Sequence, residues 1–217
     1  MKFAVVLSGC GQHDGSETHE TVLTLLSLTQ QNIEWQAVAP NRLQHHVTQH
    51  DTNTTANDEQ RHCLTEAARL ARGNIIDVST ANINDYDGVV IPGGFGAVTN
   101  LCDWADKGPD FAIEASVQAF LEQAIDRKLP MGFICIAPML ITKLFQSATL
   151  TIGNDAGIAE KITQLGSTHV DCAVNEVVVD EKHRVVSTPA YMLAKNIDQA
   201  YQGISKLVAQ LVVLASN

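Results

Sequence analysis

The run Gly88–Val89–Val90–Ile91 passes without a polar residue into Pro92–Gly93–Gly94–Phe95–Gly96. A strand with no polar face must be covered on both sides, as in a parallel sheet sandwiched by helices. A glycine-rich turn at its carboxyl end lies where such sheets bind ligands. Two further segments repeat the device. Residues 2–7 form a near-continuous β-type run that ends in Ser8–Gly9–Cys10–Gly11, and residues 129–134 run straight into Cys135. Strands are also expected at 35–39, 75–78 and 150–152, with a hairpin made of 174–179 and 184–187. Helical patterns separate them: one opened by Asp14–Gly15–Ser16–Glu17, then 59–72, 111–127, 137–145, 156–165 and 194–213. Alternation of this kind predicts an α/β fold, a doubly wound, mostly parallel sheet with helices on both faces. At 217 residues the chain reads as one domain, with a polar excursion from the core at about 42–60.

Composition narrows the function. The 14 Lys and Arg against 24 Asp and Glu leave a net charge of −10, and the basic residues are scattered. Nucleic acid and anionic lipid, which need basic patches, are therefore not expected as partners. Every apolar run falls far short of the roughly 20 residues of a membrane span. Residues 1–7 read as a strand rather than a signal peptide, which leads to the expectation of a soluble, cytoplasmic protein. The five Cys (10, 63, 102, 135 and 172) contain no C-x-x-C pair, so free thiols are expected. His45, His46 and His50 fall within six residues but have no acidic or Cys ligand at regular spacing, and read as part of a solvated loop. No metal and no cofactor is expected.

Cys135 carries the chemistry. It stands where a buried strand turns into a helix whose second residue is Pro138, tolerated in a first turn. In such a nucleophile elbow the side chain projects above the sheet, and the helix amides and dipole are expected to lower the thiol pKa. The plain alternative is a core thiol that happens to end a strand. The amides of Ile136, Gly93 and Gly94 are placed to converge on a developing oxyanion. A thiolate needs a proton-transfer partner. Glu17 and Glu20 lie in the first turns of the neighbouring helix, where stabilising the helix dipole is their competing role, and His19 is a further candidate on another helical face. Cys10, Gly11, Glu17, His19 and Phe95 are expected to line the same pocket. Its size depends on how 42–60 and 97–109 fold over Cys135.

Taken together, Val5–Val6–Leu7–Ser8–Gly9–Cys10–Gly11, Ser16–Glu17–Thr18–His19–Glu20, Ile91–Pro92–Gly93–Gly94–Phe95–Gly96, Gly132–Phe133–Ile134–Cys135–Ile136–Ala137–Pro138 and Thr188–Pro189–Ala190–Tyr191–Met192 resemble the PfpI-like, class I glutamine amidotransferase-like superfamily, and within it the ElbB-like glyoxalases. The resemblance covers essentially the whole chain. It implies a flavodoxin-like sandwich, often dimeric, with Cys135 as elbow nucleophile, Glu20 as its acidic partner, and Gly93, Gly94 and Ile136 as oxyanion donors. The implied activity is that of a glutathione-independent glyoxalase, a lyase of the hydro-lyase type. It converts glyoxal or methylglyoxal, small dicarbonyls, to the 2-hydroxy acid through a Cys hemithioacetal. Ile136 departs from relatives that carry His after the elbow Cys, and His169 does not obviously replace it, so a Cys–His pair is not expected. The rival readings are a redox- or stress-responsive protein that uses the same Cys, and a deglycase.

Overall fold

The computed structural model describes all 217 residues. The strands are β1 (Lys2–Val6), β2 (Glu34–Ala39), β3 (Thr48–Gln49), β4 (Thr54–Thr55), β5 (Ile75–Asp77), β6 (Gly88–Ile91), β7 (Met131–Ile134), β8 (Thr149–Leu150), β9 (Thr168–His169), β10 (Val178–Asp180) and β11 (Val185–Thr188). The α-helices are α1 (Thr18–Gln30), α2 (Cys63–Leu70), α3 (Gly96–Thr99), α4 (Trp104–Lys107), α5 (Ala115–Asp126), α6 (Ile141–Leu144), α7 (Ala156–Gln164) and α8 (Ile197–Ser216). Seven strands form the main sheet in the order β10-β11-β7-β6-β1-β2-β5, parallel except for β10. The expected α/β sandwich is therefore the observed one.

Strand β1 shows why the sheet needs two covers. Phe3, Val5 and Leu7 pack with Leu28 of α1, Ala67 of α2 and Leu207 of α8, whereas Ala4 and Val6 face the side covered by Val117, Phe120 and Leu121 of α5. Successive side chains point to opposite faces, so a strand buried on both must be apolar throughout. The chain leaves β1 toward β2 and β5, then returns to the other side of β1 to lay down β6 and β7. The order reverses between β1 and β6, and a crevice opens at the carboxyl ends of strands at such a point.

Several boundaries differ from the sequence expectation. Helix α1 begins at Thr18, and its cap is Glu17, whose Oε2 accepts from the Glu20 amide at 2.6 Å. Asp14 and Ser16, from the stretch expected to open this helix, lie before it and are used elsewhere: Asp14 accepts from the Thr48 amide and the Ser16 hydroxyl from the Ser8 amide. The helix expected at 59–72 shrinks to α2, because His62 instead bridges Leu43 in extended backbone. The strand expected at 150–152 leaves the main sheet, and β8 pairs with β9 in a small separate sheet. The excursion at 42–60 holds the hairpin β3–β4, whose strands are two residues each. Asn100 ties it down: Nδ2 donates to the Ser8 and Asp14 carbonyls, both at 2.8 Å, and Oδ1 accepts from the His45 amide at 2.7 Å. No helix is long and apolar enough to cross a membrane.

Candidate active site

Cys135 follows β7 with φ +63°, a left-handed conformation in a residue that has a Cβ. Such backbone is uncommon outside glycine and survives only where neighbours hold it. The holding contact is the Cys135 amide, which donates to the Thr188 carbonyl at the end of β11 (2.9 Å). The chain then enters a single 3-10 turn over Ala137–Leu140, with Pro138 in its first turn, and continues as α6. The elbow turns the Cys135 side chain off the sheet toward Gly93.

Gly93 is where the site converges. A methyl group on its α-carbon would stand 2.5 Å from Cβ of Cys135 and 2.7 Å from Oε2 of Glu20. No side chain fits there, so the thiol and the carboxyl meet across a bare α-carbon. Glu20 is fully buried and held at both oxygens: Oε2 accepts from the Gly93 amide (2.9 Å) and Oε1 from the Tyr191 amide (3.1 Å). Gly94, with φ +92°, packs so closely on the loop before α1 that a methyl group there would lie 2.4 Å from the Glu17 amide. Three hydrogen bonds join the two turns: Phe95 N to Gln12 O (2.8 Å), Gly96 N to Gly15 O (2.9 Å) and Glu17 N to Gly93 O (2.9 Å).

The electrostatics follow from burial. Removal from water, reinforced by the Glu17 carboxylate, raises the Glu20 carboxyl to about 8, although the Tyr191 and Gly93 amides and the Cys135 thiol oppose the shift. Burial, and next the charge of Glu20, push the Cys135 thiol well above its ordinary value, while the amides of Gly94 and Ile136 pull the other way. This corrects the expectation of a lowered thiol pKa. The elbow is followed by a short 3-10 turn with little dipole, and desolvation outweighs its amides. The two groups are a coupled pair that holds its protons near neutral pH.

A cavity of about 240 Å³ opens onto Cys135. Glu17, Gly94, Phe95 and Ile136 line it as expected; so do Tyr191 and Met192, which the sequence offered only within a family motif, and Trp104 and Ile158, which it did not assign to the site. Of the two segments expected to fold over Cys135, 97–109 contributes Trp104 of α4, whereas 42–60 lines an adjoining cavity of about 340 Å³ with His45, His46 and Thr48.

Three residues assigned to the pocket do not line it: Cys10, Gly11 and His19. The glycine turn after β1 carries Cys10 toward Thr18 and Glu66, and there burial raises its thiol. Gly11 has φ +134° and packs on the His50 ring, where even a methyl group would stand 2.6 Å from the imidazole. His19 is exposed and pairs with the Tyr191 hydroxyl through Nδ1 (2.7 Å), so it braces the residue whose amide holds Glu20 rather than meeting Cys135 itself. His169 accepts from the Ile152 amide (3.3 Å) and lies outside the cavity lining. No group of three or more His, Cys, Asp or Glu side chains is placed to hold a metal ion. Each imidazole of the excursion faces its own partner: His46 the His13 carbonyl, His50 the Asp14 carboxylate, His45 Asp106.

No protein-family model matches the chain. Individual relatives do. A human protein named glutamine amidotransferase-like class 1 domain-containing protein 3, mitochondrial, is 36% identical over 100% of this chain and 84% of its own length. A rat protein named ES1 protein homolog, mitochondrial, is 35% identical over 100% of this chain and 85% of its own. These names point to mitochondria and correct the cytoplasmic expectation; net charge and short apolar runs bear on solubility, not on compartment. Among solved structures, an isoprenoid biosynthesis protein with an amidotransferase-like domain from Ehrlichia chaffeensis superposes with a TM-score of 0.91 at 32% identity, over 98% of this chain and 99% of that one. The fold alone is shared with glyoxalase III from Candida albicans, at TM-score 0.62 and 14% identity over 97% of each chain. With more than a third of its residues identical to the human protein over its whole length, the chain belongs to the glutamine amidotransferase-like class 1 domain family that includes the ES1 proteins.

Proposed function

We propose that this chain is a cofactor-independent glyoxalase that converts glyoxal, and also methylglyoxal, to the 2-hydroxy acid. The observation that carries the reading is the meeting of the Cys135 thiol and the Glu20 carboxyl across Gly93. The thiol proton passes to Glu20 as sulfur bonds to the aldehyde carbon. The carbonyl electron pair becomes an alkoxide, which takes the proton back and gives a hemithioacetal. Glu20 next removes the proton on that carbon, the electrons move into an enediolate, and the proton returns to the adjacent carbon. A thioester with a neighbouring hydroxyl results. Water adds, the C–S bond breaks, and sulfur recovers its proton. The aldehyde carbon is oxidised by two electrons and its neighbour reduced by two, so the balance needs no other reagent. The Gly93 amide, expected as an oxyanion donor, is instead committed to Glu20 Oε2, whereas the amides of Gly94 and Ile136 face the sulfur and are positioned to support negative charge beside it.

The same observation weighs against a redox sensor. A sensor thiol oxidises readily when it rests as an accessible thiolate. Cys135 is 8% exposed, and burial together with Glu20 keeps it protonated. In the enzyme reading Glu20 removes that proton only as the new bond forms. The test is glycolate formation from glyoxal, without glutathione or added metal, by wild type, Cys135→Ser and Cys10→Ser. Turnover lost only in Cys135→Ser supports the reading. Equal, feeble glyoxal loss in all three, without glycolate, overturns it.

A further inference from the structure

We infer that the substrate of this site is a 2-oxoaldehyde whose ketone carbon carries an apolar group about as large as a phenyl ring. The inference rests on the glyoxalase reading and adds a substrate class to it. Glyoxal and methylglyoxal need little more than Cys135, Glu20 and a few amides. The cavity above Cys135 offers much more. Phe95, Val98, Trp104, Ile136, Ile158 and Met192 wall it, and they come from five separate stretches of chain: the turn after β6 with α3, then α4, the elbow, α7 and the turn after β11. None of the six is required to bring the thiol and the carboxyl together.

Size and chemistry point the same way. An apolar cavity of about 150 Å³ takes a benzene molecule. At about 240 Å³ this one has room for a ring together with a two-carbon dicarbonyl. Both carbons of glyoxal carry oxygen, so glyoxal would leave these walls without a partner. No Lys, Arg or His lines the cavity and Glu17 does, which disfavours an anionic tail. A polyhydroxylated tail would find few partners, because only Gln12, Glu17 and the polar atoms of Trp104 and Tyr191 interrupt the apolar walls, and ligand pockets of this make-up take apolar groups fixed by a few polar contacts. Phe95 is 52% exposed and also lines the adjoining His-bearing cavity, so its ring stands at the rim.

The chemistry is unchanged. Sulfur adds to the aldehyde carbon, the hydrogen moves to the carbon bearing the ring, and water releases the aryl hydroxy acid. The experiment compares kcat/KM for phenylglyoxal going to mandelate with that for glyoxal going to glycolate, in wild type, Cys135→Ser and Ile158→Ser. Wild type is expected to favour phenylglyoxal at least tenfold, the low end of what one methylene earns in an apolar pocket. Ile158→Ser lowers that ratio, which separates the pocket's contribution from the reactivity of the aldehyde. Cys135→Ser turns over neither. A second measurement needs no variant: mandelate should inhibit glyoxal turnover at a concentration at least tenfold below glycolate. Equal or better use of glyoxal, or preference for an oxoaldehyde with a polyhydroxylated tail, overturns the inference and leaves the glyoxalase reading standing. No turnover of any of them overturns both.

Discussion

Glu20→Gln isolates the most perturbed carboxyl in the molecule. Its ordinary value is 4.5 and its value in the fold about 8. Between these two, the folded protein holds a proton that the unfolded chain has released. Stability therefore falls as pH rises through that window, by about 1.4 kcal/mol per pH unit. Below about 4.5 both states are protonated and the group adds no slope; above about 8 both are ionised and the full loss persists. From pH 5.5 to 7.5 the loss is about 3 kcal/mol. Glutamine does not titrate, so the variant lacks this slope. It has its own cost, because only one of its two terminal atoms accepts, whereas the Gly93 and Tyr191 amides both donate to Glu20. A buried amide left unpaired costs about 1–3 kcal/mol at every pH. Wild type is then the more stable protein at pH 5.5, and the variant overtakes it or draws level by pH 7.5. Urea unfolding at four pH values between these limits measures the difference, with other titrating groups cancelling between the two proteins. A difference between wild type and Glu20→Gln that stays constant within about 0.5 kcal/mol would refute a buried, proton-holding carboxyl.

Activity should follow the same group. The kcat/KM for glyoxal is expected to rise with pH through about 8, because Glu20 must be ionised to take the thiol proton, and Glu20→Gln should lower turnover by about 10²–10⁴; a flat profile in wild type contradicts the assignment. Gly93→Ala places a methyl group 2.5 Å from Cβ of Cys135, which should cost about 1–3 kcal/mol of stability and most of the turnover, read from the urea midpoint and glycolate formation. Asn100→Ala leaves the His45 amide and the Ser8 carbonyl without their side-chain partner. It should destabilise the protein by about 2 kcal/mol or more, and limited proteolysis should cut first within 42–60.

What could be read from sequence was what is local. The polar-free strands, the Gly93–Gly94 turn and the strand-to-Cys135 elbow are contiguous, and their periodicity and glycines state their geometry directly. Glu20 needed a family resemblance, because the Tyr191 amide that holds it lies 171 residues away. Trp104 and Ile158 were not assigned to the site for the same reason: each is an ordinary apolar residue in its own segment, and only the packing of α4 and α7 brings them over Cys135. Cys10 and His19 were misplaced because proximity in sequence to a strand end does not fix direction. One glycine at φ +114° swings the chain at Cys10 aside, and the helical period of α1 turns His19 toward Tyr191. The thiol's titration was misread because desolvation depends on the whole surrounding shell, which no short motif reports.

The ends of the main sheet carry a consequence for how copies of the molecule meet. Both border strands, β5 and β10, are three residues long. Another chain adding itself alongside either one would find only a few free amides and carbonyls, too few to hold an extended ribbon. The shortness of these strands thus works as a guard against templated fibre growth. The exposed apolar side chains of the helical layer, Val22 and Leu26 on α1 and Ile197 and Val213 on α8, lie away from these edges.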